Sequence, residues 1–456
     1  MPTTVPVDLL TPSEQGPDTW RPLEVPESSG YTAPDGSRRG GPGRPPPGAA
    51  SPRVRRNRRW WLTAVVTLAI VLGVFLGVNA GAKPPGSGHP TPPAGRGAKP
   101  AKSPGSRLDP DWTGDGRAVT FAFGGDVNFP STSNLGERLE DDPDTALGPT
   151  VPALLTGATV KMVNFESSLT EGGCPTPQPK TYVFYAPPTA VTALEHAGIT
   201  LVTEANNHGE DCGPAGLQQA LDIRTQTKFP IMGIGRNVTE AFTPYEATIK
   251  GQRIAIVVAT QVIDSDLQVG WTATTTQPGL ASAYDISALV SEVEKVRKWA
   301  DTVVVYVHWG TQLDACPNPL QEPLANALVR AGADIVVGTH AHVLLGGGYL
   351  GSAYVDYGLG NFAFYDNTPP ENQSGTLLIT ATGRHIDTVT WRPAVIVDDL
   401  PQPLAGTAAA TALNSWNAAR SCTDATASPG SALATPTTEA SPVTPTAASQ
   451  LSVDAT

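Results

Sequence analysis

The sequence repeatedly places carboxylate, carboxamide and imidazole side chains just past the end of an apolar run. Asp126 follows the run 118–123, Glu166 follows 159–163, and Asn207 with His208 follows 199–203. His308 follows 302–307, and His340 and His342 follow 333–337. Imidazole nitrogen mixed with carboxylate oxygen is a ligand set for Zn, Mn or Fe, whereas Ca and Mg prefer oxygen alone. The candidates Asp126, Glu166, Asn207, His308, His340 and His342 exceed the needs of one tetrahedral ion, which predicts two divalent ions. Such a pair would clamp a phosphate-like group and lower the pKa of water to about 7. A histidine not spent on metal would then give a proton to the leaving oxygen. Asn207 and His208 are adjacent, so one can bind metal while the other faces substrate.

The elements that must position these groups read as alternating strands and helices. Helical spacing at 191–197, 214–227, 287–300 and 319–331 separates the strand-like runs, and Gly198 can stop the first of these helices. Further strands are expected at 229–234, 247–249, 253–259, 353–357, 375–382 and 385–392. The first strand is expected to stop at Gly124, and Gly346-Gly347-Gly348 reads as a flexible turn. In an α/β sheet the carboxyl ends of strands converge on the ligand crevice. Of the seven histidines, His208, His308, His340 and His342 fall at such ends, while His89, His196 and His385 lie elsewhere.

Composition divides the 456 residues. Residues 1–59 are Pro- and Arg-rich with few large apolar side chains, and read as a disordered tail. Residues 60–82 carry no charge and are long enough to cross a ~30 Å hydrocarbon core as a helix. Arg53, Arg55, Arg56, Arg58 and Arg59 precede this stretch, which puts the N-terminus in the cytoplasm and the remainder outside. A cleaved signal peptide is the competing reading, but the leader is long and the apolar run exceeds the usual h-region of about 7–15 residues. Residues 83–117 read as a Pro/Gly-rich linker, 118–400 as the folded domain, and 401–456 as a short helix with an Ala/Thr/Ser/Pro tail. All four cysteines follow the expected anchor, in a compartment where disulfides persist. Three pairings are open, and the positions of Cys174 and Cys212 after candidate site loops favour that pair, with Cys316 to Cys422 closing the domain. The formal net charge of −12 argues against a nucleic-acid partner.

Six ordered motifs carry a resemblance: Gly125-Asp126-Val127, Asn164-Phe165-Glu166, Asn206-Asn207-His208, His308-Trp309-Gly310, 338–342 and 357–362. Together, over about 118–392, the chain resembles the CapA family of capsule and poly-γ-glutamate synthesis proteins, itself similar to calcineurin-like metallophosphoesterases. The resemblance implies a four-layer α/β/β/α sandwich with a dinuclear site. By position it implies Asp126 and His342 at one metal, Asn207, His308 and His340 at the other, Glu166 bridging, and His208 as proton donor. Asn128 stands where the phosphoesterase pattern has a second histidine, and Asn164, Asn206 and Asn361 would support ligands or touch substrate. The function implied is a membrane-anchored extracytoplasmic protein in synthesis or export of an anionic polymer, acting by metal-dependent hydrolysis. Its expected partners are that polymer or a phosphoester, the membrane through the N-terminal helix, and membrane synthase subunits. A non-catalytic polymer-binding or synthase-scaffolding subunit and a general secreted metallophosphoesterase are the alternatives.

Overall fold

Strands in the centre of the chain are apolar on both faces, which requires cover on both sides. All eight residues of Thr302–Trp309 are buried, as are all six of Ile335–His340. The computed structural model describes residues 105–431 and 433. The expected anchor at 60–82 lies outside these residues, and among the described residues no helix is long and apolar enough to cross a membrane.

Two large sheets carry the fold. In the first, Val119–Val127, Val160–Phe165, Leu201–Thr203 and Ile231–Met232 run parallel in that spatial order. On the other side of Val119–Val127 lie Gln373–Thr382, His385–Val397 and Leu400–Pro403, all antiparallel. The short strand Asn361–Ala363 also pairs with the Asp126 end of Val119–Val127. The second sheet has the order Gly347–Leu350, Ala353–Asp356, Ile335–His340, Thr302–Trp309, Gln252–Thr260 and Tyr245–Ile249, with parallel pairing at its centre.

Alternation along the strands sets the layers. Phe121, Phe123 and Met162 of the first sheet share one core with Ile256, Val258, Val304 and Tyr306 of the second. Their neighbours Ala122, Val163 and Val202 point the other way, into a core with Leu194, Leu217 and Leu221 of the helices Thr189–His196 and Gly213–Thr227. Leu289, Val293 and Val296 of helix Ile286–Arg297, with Leu324 and Leu328 of helix Gln321–Ala331, cover the outer face of the second sheet. Helices therefore lie outside two facing sheets.

Three local expectations are corrected. The first strand does not stop at Gly124 but runs on to Val127, with register shifts around Asp126. Glycine permits this close approach, because a Cβ on Gly125 would stand 1.8 Å from the Gly360 carbonyl oxygen. The run 229–234 is broken into Ile231–Met232 and Ile234–Gly235 by Gly233, whose φ is +84°. Gly346-Gly347-Gly348 is no flexible turn: Gly347 and Gly348 begin an edge strand, and a Cβ on Gly346 would meet the Ala419 backbone at 2.5 Å.

Of the segments read as linker and tail, the described parts, 105–117 and 401–431, are tied to the domain. Trp112 Nε1 donates to Asp301 Oδ1 at 3.2 Å, and the Arg384 amide donates to the Trp112 carbonyl at 2.6 Å. Behind them is a buried ion network: Asp334 accepts from Arg297 Nη1 at 2.5 Å, Arg384 Nε at 2.7 Å and the Val303 amide at 2.8 Å. At the other end Thr426 and Tyr349 exchange backbone hydrogen bonds, and Tyr357 Oη donates to Asp424 Oδ1 at 2.6 Å. Disulfides join Cys174 to Cys212 and Cys316 to Cys422.

Candidate metal centre

The carboxyl ends of parallel strands in both sheets meet at one place, and the polar residues at those ends form one buried cluster. Asp126, Asn164, Glu166 and His308 are fully buried, and His208, His340 and His342 are nearly so. Glu166 stands at the centre. Its Oε1 lies 3.6 Å from His342 Nε2, 3.8 Å from His208 Nε2 and 3.9 Å from His308 Nε2. Among the described residues neither carboxylate oxygen of Glu166 has a hydrogen-bond partner. Burying a carboxylate without partners is costly, so this arrangement calls for a cation.

Ligand-capable atoms fall into two sets that share Glu166. Glu166, His308 and His340 form one, and Asp126, Glu166 and His342 form the other, with all atoms of a set within 4.8 Å of one another. Asn207 Oδ1 joins the first set at 2.7 Å from His308 Nε2, which is 3.1 Å from His340 Nδ1. His342 Nδ1 is 3.5 Å from Asp126 Oδ2 and 2.7 Å from Asn361 Oδ1. The carboxamide oxygen accepts from Nδ1, so Nε2 is left to face Glu166. This mixture of nitrogen and oxygen donors fits divalent Zn, Mn or Fe.

A second tier of hydrogen bonds fixes the first. Asn164 Nδ2 donates to Asp126 Oδ1 at 2.9 Å, and Asn206 Nδ2 donates to Asn164 Oδ1 at 2.9 Å. The His208 amide in turn donates to Asn206 Oδ1 at 2.9 Å. Asn128 is not drawn into this chain: it is buried, its carboxamide has no partner among the described residues, and its backbone amide donates to the Ala363 carbonyl. His340 and His342 sit at φ +100° and +58°, left-handed backbone that L-residues adopt at a cost of roughly 1–2 kcal/mol each.

Burial governs the protonation of the cluster. It pushes Glu166 well above the usual carboxylate range, and the nearby Asp126 charge adds to this. It also raises Asp126. Burial and neighbouring cationic groups hold His308 and His340 well below the ordinary imidazole value, and burial lowers His208 to about 4. Neutral imidazoles offer the lone pairs that a metal needs.

The pattern of strand ends does not point to several residues around His208. Asp211 Oδ2 lies 2.6 Å from His208 Nδ1, and its Oδ1 accepts from Lys180 at 2.7 Å. Phe184 packs on the His208 ring at a centroid distance of 4.2 Å. Asp211 is three residues after His208 and could have been found by that spacing. Lys180 and Phe184 come from a loop whose proximity only the fold supplies, with Cys174–Cys212 joining it to the residue after Asp211. The mouth is a cavity of about 690 Å³ whose lining includes Lys180, Asp264, Asp266, Asp366 and Glu371, with Asp264 Oδ2 3.6 Å from Lys180 Nζ.

Glu204 is buried, and its Oε1 accepts from the Leu169 amide at 2.9 Å while Oε2 has no partner among the described residues. Burial raises its pKa to about 8. The protonated form therefore supports the fold fully below the unfolded value of about 4.5, and that support is lost as pH rises through about 8. Replacing Glu204 by Gln should raise the melting temperature relative to wild type at about pH 8.5 and change it little at about pH 5. Equal differences at both pH values would rule out Glu204 as the titrating group.

Two buried ligand sets sharing one carboxylate, set at the strand ends of paired sheets, define a candidate metal-binding α/β domain. The chain belongs to the bacterial capsule synthesis protein family, PGA_cap, whose model matches residues 120–366. It is 35% identical over 178 residues to the capsule biosynthesis protein CapA of Bacillus anthracis, covering 38% of this chain and 42% of that one. It is 33% identical over 176 residues to the PGA biosynthesis protein CapA of Bacillus subtilis strain 168, covering 38% and 45%. The match thus spans less than half the length of these curated relatives. Among solved structures, a 5'-nucleotidase described as putative from Staphylococcus aureus aligns at 13% identity and a TM-score of 0.37, covering 66% of this chain and 58% of that one.

Proposed function

We propose that this chain is a membrane-anchored, extracytoplasmic accessory protein of capsule or poly-γ-glutamate-type polymer synthesis, and that its domain hydrolyses an ester bond with two divalent ions. The observation that carries the hydrolytic reading is Glu166, buried without a hydrogen-bond partner between two sets of ligand atoms. Divalent ions held there would supply Lewis-acid polarisation of a phosphoester and acidify a water. Asp126 and His342 would hold one ion, Asn207, His308 and His340 the other, and Glu166 both. Asp211 holds the Nδ1 side of His208, which turns Nε2 toward the centre; its carboxylate works against burial to favour the protonated ring, and it is that imidazolium which would give a proton to the leaving oxygen. Phe184 keeps water from that ring. Family membership supports the placement in polymer synthesis. The uncharged stretch 60–82 behind its arginine cluster supports the anchor and the outward orientation.

A non-catalytic polymer-binding or scaffolding subunit is the second reading, favoured by Asn128 standing without a partner where a further ligand would be expected. Metal analysis of the full chain after growth with added Mn, Zn and Fe separates the readings. We expect close to two ions per chain and turnover of a phosphodiester that falls about 10²-fold or more in His208→Ala. An empty site would sink the metal claim. Bound metal without turnover, together with co-purification of membrane synthase subunits, would favour the scaffold.

A further inference from the structure

A second cavity, of about 430 Å³, opens beside the mouth of the metal centre and shares three of its walls, Tyr182, Phe184 and Tyr365. These rings form a continuous aromatic wall. Phe184 lies 6.3 Å from Tyr182 and 5.9 Å from Tyr365 between ring centroids, and the same Phe184 packs on His208. Tyr182 is 61% exposed, an aromatic face presented to solvent rather than spent in a core. Burial and nearby acidic groups keep the Tyr365 hydroxyl protonated and able to donate.

The chemistry of this outer cavity differs from that of the mouth. None of its lining residues is cationic; Thr132 and Asn134 are exposed polar groups, whereas the Asn367 carboxamide is already bonded to Asp399 and to the Tyr365 carbonyl. Its single carboxylate, Asp399, is already engaged: Oδ2 accepts from the Leu135 amide at 3.0 Å and Oδ1 from Asn367 Nδ2 at 2.7 Å. An anionic chain would find no counter-charge here and would pass Asp366 and Glu371 on the way. An exposed aromatic face with uncharged hydroxyl and amide groups suits a neutral, polyhydroxylated ring, which offers C–H faces to the tyrosines and hydroxyls to Thr132 and Asn134.

We propose that the outer cavity is a subsite for an uncharged sugar-like ring, belonging to the substrate whose ester reaches the metal centre. The identity of that ester rests on the hydrolytic reading above, but binding of the ring does not require metal. The test is calorimetric titration of the full chain, stripped of metal and reloaded, with a neutral N-acetylglucosamine tetramer and separately with a γ-linked glutamate tetramer. The sugar tetramer should bind in both states, about five- to ten-fold more weakly in Tyr182→Ala and Tyr365→Ala. It should be excluded by Thr132→Trp, an exposed position where an added indole fills the cavity without disturbing the core. The glutamate tetramer should bind more weakly to wild type. Absence of sugar binding, indifference to all three substitutions, or preference for the glutamate tetramer with the same sensitivity would overturn the subsite. Intact sugar binding in a protein that turns over no ester would overturn the hydrolytic reading alone.

Discussion

Glu166→Gln should reverse its effect on stability when divalent metal is added. In metal-free protein the wild-type carboxyl is buried, has no hydrogen-bond partner and titrates well above its ordinary range. Its protonated form supports the fold below the unfolded pKa of about 4.5, and this support is lost as pH rises toward the folded value. A neutral amide of the same shape avoids that loss, so stripped Glu166→Gln should melt at or above wild type at about pH 8. Metal changes the order. A ligand that binds only the native state adds about 2.7 kcal/mol at a hundredfold excess over its Kd, and both ligand sets lose their shared anion in the variant. Wild type should therefore gain several degrees with Mn²⁺ while Glu166→Gln gains almost none, and metal affinity should fall by 10²-fold or more. Thermal melts with chelator and with Mn²⁺ measure this directly, and an equal metal-induced rise in both proteins would remove Glu166 from the centre.

Removing Asp334 should cost more than any other single change away from the metal centre. Arg297 and Arg384 both donate to it, with side chains 2% and 8% exposed, so Asp334→Ala leaves two buried guanidinium groups facing each other. Breaking a buried pair by removing one partner costs about 3–5 kcal/mol, which in a domain of this size lowers the melting temperature by roughly 10 °C. The damage should spread along the chain. Arg384 also donates to the Leu108 carbonyl, so residues 105–117 should become cleavable by added protease before the rest of the domain does. A loss below about 1 kcal/mol would show that solvent or rearrangement compensates the arginines.

Strand ends were the most legible part of the site, for a physical reason. Period-two burial and uninterrupted apolar runs mark the strands, and parallel strands carry their terminal side chains to a common edge. Asp126, Glu166, Asn207, His208, His308, His340 and His342 all lie within that one cluster. The layering was expected from the family resemblance rather than from the runs themselves, since strands buried on both faces carry little alternation to read. What stayed hidden came from loops, where neither period nor propensity says which segment returns to the site. Lys180 and Phe184 are examples, and so is the aromatic wall that joins the two cavities. Glycine misled: Gly124 and Gly125 continue a strand where the Phe362 ring and the Gly360 carbonyl leave no room for a Cβ, and Gly347 lies in a strand where the Asp356 carboxylate does the same.

The two left-handed histidines set stability and site against each other within three residues. Glycine at either position would relieve backbone strain, whereas no other common side chain adopts φ of +100° at His340 without similar cost. His340→Gly or His342→Gly would exchange that strain for a buried void and a lost candidate ligand, so the backbone gains at these positions only what the site loses. Engineering this domain for robustness calls for a screen that retains metal as the criterion, since the substitutions its backbone rewards most are the ones that would empty its centre.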